Sequence, residues 1–237
     1  MLSEPNKSYS IQLDQFVIEN STCEKLLGIS LDSNLSFNEH VSNLCNKASQ
    51  KLHALNRVSR FMNSHQKRIV MKSFINSQFG YCPLVWMFTS RTINHRINRI
   101  HERALRIAFN DQNSSFEDLL CRDNSVTIHV KNLQSLAIEL YKIVNNISPE
   151  IMKNIFFLDE NKRYPTKSVF ETRNIRTTHF GLESLAHLGP NIWNILPTTL
   201  KNIKTLFQFR KEIKLWIPDN CPCKLCKDYL QGIGYIN

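Results

Sequence analysis

Apolar and polar residues alternate at the amino end of the chain. Ile11, Leu13 and Phe16 stand out in SYSIQLDQFVIEN, and Leu27, Ile29 and Leu31 recur at period two in LLGISLD. A period of two places side chains on one face of a pleated strand, so a short β-hairpin is predicted over residues 9–32. Gly28 interrupts the second run and suits a bulge or a close backbone approach.

The period changes after Leu35. Phe37, Val41, Leu44, Ala48, Leu52 and Leu55 recur at helical spacing, which predicts a helix over 37–62, opened by a Ser36–Glu39 capping box. Asn63 and Gln66 open a second helix. The ring-rich run from Phe79 to Phe88, broken by Pro83, is expected at the centre of a core. A strong helix follows over 91–109, with Ile93, Ile97, Ile100, Ala104 and Ile107 as its apolar stripe. Ser114 and Glu117 cap a short helix, Val130 to Ile143 marks another over 127–145, and Ser148-Pro149-Glu150 starts one more. Residues 158–180 are polar, basic and weakly periodic. Leu185 to Trp193 and Leu206 to Trp216 restore packing signals.

The predicted fold is therefore mainly α: an N-terminal β-hairpin, a helical bundle, and a less regular helical C-terminal region. The expected divisions are 1–33 (hairpin), 34–110 (bundle), 111–157 (helical extension), 158–180 (basic linker or arm) and 181–237 (C-terminal region with a Cys-rich tail).

Composition narrows the class. In 237 residues, 42% are hydrophobic, which argues against a disordered chain. No run approaches the ~18 apolar residues of a membrane-spanning helix, and no membrane partner is expected. The start, MLSEPNKSYSIQLDQF, lacks the basic head and apolar core of a secretory signal. The 7 Cys are therefore read as reduced thiols or metal ligands in an intracellular setting, in cytoplasm or nucleus. Thirty Lys+Arg against twenty Asp+Glu give a net charge of +10, which draws polyanions such as RNA, DNA or anionic lipid.

Catalytic patterns are missing from the sequence. Two-metal nucleotidyl transfer needs carboxylates that share cations ~4 Å apart. No Asp-Asp occurs, and the Asp residues are scattered singly. Asp32, followed by Ser33-Asn34, is read as a turn initiator. No Gly-rich phosphate loop, His-Glu-x-x-His pair or Gly-x-Ser-x-Gly elbow is present.

Binding patterns are richer. Arg96, Arg99, Arg103 and Arg106 are spaced 3, 4 and 3 on the 91–109 helix, with Arg91 at its start and Glu102 as the opposing acid. Guanidinium groups bind phosphate bidentately, and a row at helical spacing can follow a nucleic-acid backbone. The bland alternative is a solvated helix face. His101 on the same helix is a candidate to add charge below neutral pH. Cys221, Cys223 and Cys226 form a C-x-C-x-x-C cluster, three of the four ligands zinc prefers. The fourth would be distant: Cys82, Cys121, His179, His187 or a second chain. Cys23, Cys45, Cys82 and Cys121 are expected as buried small hydrophobes, and Trp86, Trp193 and Trp216 as core.

The ordered phrases resemble a known family. EKLLGISLDSNLSFNEHVSNLCNKASQKLHALNRVSRFM is similar to the stretch after the catalytic palm in reverse transcriptases of non-LTR (LINE-type, jockey-like) retrotransposons. FGYCPLVWMFTSRTINHRINRIHERALRIAFND, DNSVTIHVKNLQSLAIELYKI, TRNIRTTHFGLESLAHLGPNIWNILP and IPDNCPCKLCKDYLQGIGYI follow in the same order. The resemblance runs from about residue 20 to the end. It implies a carboxy-terminal fragment of such a polymerase. The strand Leu27–Leu31 would be the end of the palm, the helices of 37–110 a thumb that grips RNA–DNA template–primer, and the Cys-rich tail a nucleic-acid contact. The family's aromatic-x-Asp-Asp signature is missing, so its activity and its Mg²⁺ do not transfer. Two alternatives stay open: an inert remnant of a degenerate element, and the tail of a complete enzyme whose catalytic part lies upstream. The sequence leaves the oligomeric state open.

Overall fold

The computed structural model describes residues 10–19, 21–158, 169–171, 175–177, 181–219 and 221–225. The alternating amino end forms two hairpins where one was expected. Strand β1 (Ser10–Leu13) pairs antiparallel with β2 (Phe16–Glu19), and β3 (Cys23–Leu26) with β4 (Ile29–Asp32). Leu27 and Gly28 have φ of 48° and 87°. Positive φ at both central residues is what a tight two-residue hairpin of the right twist requires. Gly28 is thus a turn residue rather than a bulge. Leu27 continues the sequence alternation but sits in the turn, 82% exposed. The Tyr81 hydroxyl donates to the Leu27 carbonyl at 2.7 Å and ties the turn to the helices.

Helix α1 (Asn38–Val58) starts without the expected capping box. The Ser36 hydroxyl donates to Asp32 instead, at 3.1 Å. The Asp32 carboxylate also accepts from the amides of Asn34, Ser36 and Phe37, at 3.1, 3.0 and 2.7 Å. Burial pushes this carboxyl up, but those donors outweigh it and hold it below its ordinary range. Asp32 therefore organises the turn into α1, the role read for it from Ser33-Asn34.

Helix α2 (Ser64–Val70) carries the Asn63–Gln66 capping box and runs on into a π turn at Met71–Ile75. Pro83 stands first in the short α3 (Pro83–Trp86), so it starts a helix. Of the ring-rich run, Phe79, Trp86 and Met87 are core, while Tyr81 and Val85 face solvent. Ser90 caps α4 (Arg91–Phe109), and left-handed Asn110 ends it. Helix α5 (Phe116–Asp123) starts one residue later than expected, with Ser115 and Asp118 as its box. Ser114 is held by Asp111 instead.

Thr127 caps α6 (Ile128–Val144). Then come α7 (Glu150–Lys153), α8 (Leu185–Ile195), α9 (Thr198–Lys201) and α10 (Leu206–Glu212). Pro149 caps α7 rather than occupying its first turn. Leu158 bridges to Phe170, but residues 159–168, 172–174 and 178–180, most of the expected linker, lie outside the described residues.

Two apolar clusters hold these elements. The first joins Val41, Cys45, Ala48 and Leu52 of α1 to Ile97, Ile100 and Ala104 of α4 and Leu119 of α5. The second joins Leu136, Leu140 and Tyr141 of α6 to Ile192 and Trp193 of α8 and Phe209 of α10. Helix α6 serves both, since Ile128 belongs to the first and Leu133 onward to the second. Tyr141 stacks on Phe209 at 4.2 Å and donates its hydroxyl to the Ile203 carbonyl at 2.7 Å. Trp86, Trp193 and Trp216 are all buried. The protein is mainly helical, with its hairpin pair at the amino end.

Candidate nucleic-acid interface

Helix α4 positions the arginine row. Its apolar stripe of Ile93, Ile97, Ile100 and Ala104 is buried against α1, which fixes the rotation of the helix and leaves the opposite face outward. At ~100° per residue, Arg96, Arg99, Arg103 and Arg106 fall within an arc of about 80°, over a rise of ~15 Å. Arg96, Arg99 and Arg103 are exposed. Arg99 and Arg103 make no hydrogen bond or ion pair with the described residues. Arg96 donates to the Asn46 side chain of α1 at 2.5 Å, which props it against the neighbouring helix.

Two of the five arginines depart from the expectation. Arg106 is half-buried and committed internally. It donates to Glu102 from Nε and Nη2, at 3.2 and 2.6 Å, and to the Gln112 carbonyl at 2.6 Å. Its i, i+4 spacing from Glu102 makes that pairing geometrically natural. Arg91 is exposed but lies about 140° round the helix from Arg96, off the row. The outward row is therefore Arg96, Arg99 and Arg103.

His101 cannot add charge to this face. It is fully buried, and its ring packs edge-on against Phe116 at 5.7 Å. Burial, then Lys131 and Lys72, push its pKa down to about 3 against the opposing pull of Asp123. His101 departs from the expected outward position because it sits one residue past Ile100, on the inward side of the stripe.

The cysteines separate by environment. Cys45 is buried in the first cluster, and burial drives its thiol up to about 11. Cys23 is half-buried, and Cys82 and Cys121 are exposed, contrary to the expectation of buried cysteines. Cys121 follows Leu119 and Leu120, which take the inward face of α5. Cys221 and Cys223 are buried, with their Sγ atoms 3.3 Å apart. The Cys223 Sγ also lies 3.3 Å from Nε2 of His129, a residue sequence reasoning did not select. Nothing in the spacing points to a histidine 94 positions away; only the docking of the tail on α6 brings them together. His187 lines the same cavity of about 300 Å³ as Cys223. Cys226 and His179 lie outside the described residues.

No family model, curated protein or solved structure matches this chain.

Chemically, the arginine face can neutralise phosphates without reading bases, because a guanidinium recognises phosphate geometry in any sequence. Among the described residues no three His, Cys, Asp or Glu side chains are already gathered around one point. No described helix is long and apolar enough to cross a membrane.

Proposed function

We propose that this chain is a nucleic-acid-backbone-binding module, resembling the thumb and C-terminal region that follow the palm in non-LTR retrotransposon reverse transcriptases. Its ligand is RNA, DNA or an RNA–DNA hybrid held by phosphate contacts. It carries no catalytic role of its own in this reading, since the Asp-Asp signature is missing from the sequence. The observation that carries the reading is the outward row Arg96, Arg99 and Arg103, two of whose members have no hydrogen-bond or ion-pair partner among the described residues. A net charge of +10 supports it.

The test is a salt titration of labelled RNA, duplex DNA and hybrid, each in two unrelated sequences. Affinity that falls steeply with salt and is equal for the two sequences is the expected result. Binding that ignores salt overturns the phosphate-contact reading, and no binding at low salt overturns it in favour of an inert remnant.

The hairpins favour a second reading, in which the chain packs against further protein as the tail of a larger polymerase. Leu13, Phe16, Val17, Leu26 and Leu27 are each more than half exposed. Self-association at rising concentration, relieved by Leu26→Lys with Leu27→Lys, is what this reading expects. A chain that stays monomeric at all concentrations counts against it.

A further inference from the structure

A cleft of about 670 Å³ opens between the end of α5, the start of α6 and the turn after α10. Three lysines line it: Lys72 in the π turn, Lys131 near the start of α6, and Lys214 just after α10. No Asp or Glu lines it among the described residues. Asp123 lies behind this wall, but Arg68 already matches its charge at 2.6 Å. Lys72 stands 3.3 Å from the same carboxylate, and the Lys131 ammonium has no hydrogen-bond or ion-pair partner among the described residues. Lys131 is half-buried, and burial pushes its pKa down while Asp123 offsets part of that. Both lysines also depress the buried His101. The fold thus holds more cation than anion in a partly desolvated place, where charges act more strongly than in water.

The rest of the cleft is largely aliphatic. Leu120 and Ile213 are buried, Ile138 is half-buried, and Leu215 and Ile217 stand exposed at its edge. Gln134 donates to the carbonyls of Lys214 and Trp216 at 3.2 and 2.9 Å, which pins that edge to α6. A concave apolar wall with a few convergent polar groups suits a small molecule, and the volume falls in the usual range of roughly 300–1,000 Å³.

We propose that this cleft binds a small organic phosphate monoester, its phosphate between Lys72 and Lys131 and its apolar body on Leu120, Ile138 and Ile213. The charge count selects the head group. With Arg68 and Asp123 cancelling, the two lysines offer two positive charges, and a phosphate monoester carries about −1.5 to −2 at pH 7. A carboxylate would leave one lysine unmatched. The lining selects the body: among the described residues it offers no aromatic ring for a base to stack on, so it suits an alkyl group. The site is separate from the arginine row and does not depend on it.

The test titrates the full chain with hexyl phosphate by calorimetry, beside inorganic phosphate, hexanoate and a 5′-phosphorylated oligonucleotide. Hexyl phosphate should bind at least about tenfold more tightly than inorganic phosphate or hexanoate. Lys72→Met and Lys131→Met should each weaken it at least about fivefold. Lys204→Met, outside the cleft, should leave it unchanged, as should Arg96→Ala, Arg99→Ala and Arg103→Ala combined. One readout needs no variant to fold. Cys121 is exposed and lines the cleft, whereas Cys82 is exposed outside it. Hexyl phosphate should slow the reaction of Cys121 with a thiol reagent and spare Cys82, read by mass spectrometry of the labelled peptides. No binding of hexyl phosphate overturns the proposal, and so does equal affinity for hexanoate or unchanged affinity in both Met variants. Loss of hexyl phosphate in the triple arginine variant overturns it too, as does an oligonucleotide that needs Lys72 and Lys131 where hexyl phosphate does not bind.

Discussion

Arg68 on α2 donates from Nε to the Asp123 carboxylate at the end of α5, at 2.6 Å, and from Nη2 to the Asp123 carbonyl at 2.9 Å. The carboxylate is fully buried, Arg68 is about a third exposed, and Lys72 stands 3.3 Å from the second oxygen. Burial pushes this carboxyl up, but Arg68, Ser125 and Lys72 hold it below its ordinary range. Arg68→Met leaves the buried carboxylate with only Ser125 and the nearby lysines to hold it. A loss of about 2–3 kcal/mol is expected, at or below the low end for a broken buried pair because Arg68 is partly solvated. Urea unfolding checks it. Arg68→Met with Asp123→Leu should recover part of that loss, since no buried carboxylate is then stranded, although Lys72 and Lys131 lose their counter-charge.

His101 predicts an acid limit. Its folded pKa of about 3 lies below the unfolded value of ~6.5, so the unfolded chain takes the proton first. Its contribution is full above pH ~6.5 and is lost as pH falls toward 3. The slope is at most about 1.4 kcal/mol per pH unit. His101→Gln should flatten that part of the stability profile, measured by denaturant unfolding at stepped pH. Asp32, Asp111 and Asp123, all lowered, steepen it further as pH falls below their ordinary range.

Gly189 in α8 marks a close approach of helix to ring. A Cβ there would meet Cε1 of Phe156 at 2.3 Å, and Phe156 is fully buried. Gly189→Ala gains helix propensity but forces the ring to move. A net loss of about 1–2 kcal/mol is expected in thermal unfolding.

The turn at Leu27 predicts a gain. A branched apolar side chain at φ 48° is strained, whereas Asn-Gly suits this turn. Leu27→Asn keeps the carbonyl that accepts from Tyr81 and should raise stability by about 0.5–1 kcal/mol. In a chain of this size that is a Tm rise of roughly 2 °C in calorimetry.

The helices were legible because their apolar stripes are long and their caps local. The bounds 91–109 and the Asn63–Gln66 box follow from residues within one turn of each other. The hairpin count was not legible, because Leu27 keeps the alternation through a turn that only the backbone reveals. The Ser36–Glu39 box failed because Asp32, four residues earlier, competes for the same hydroxyl and amides. In the candidate site, the spacing placed Arg96, Arg99 and Arg103 on one face. It could not say that Glu102 would take Arg106, or that His129 would meet Cys223 across 94 positions.

The central claim is that this face grips phosphate. The decisive measurement compares the salt dependence of RNA–DNA hybrid binding for the unmodified chain and for Arg96→Ala, Arg99→Ala and Arg103→Ala combined. These side chains are exposed and outside both apolar clusters, so the variant should fold, with an unchanged circular dichroism spectrum. If each contacts one phosphate, the slope of log K against log salt should drop by about 2–3, with affinity at least about tenfold weaker at low salt. Equal slopes and equal affinities for the two proteins would contradict the account.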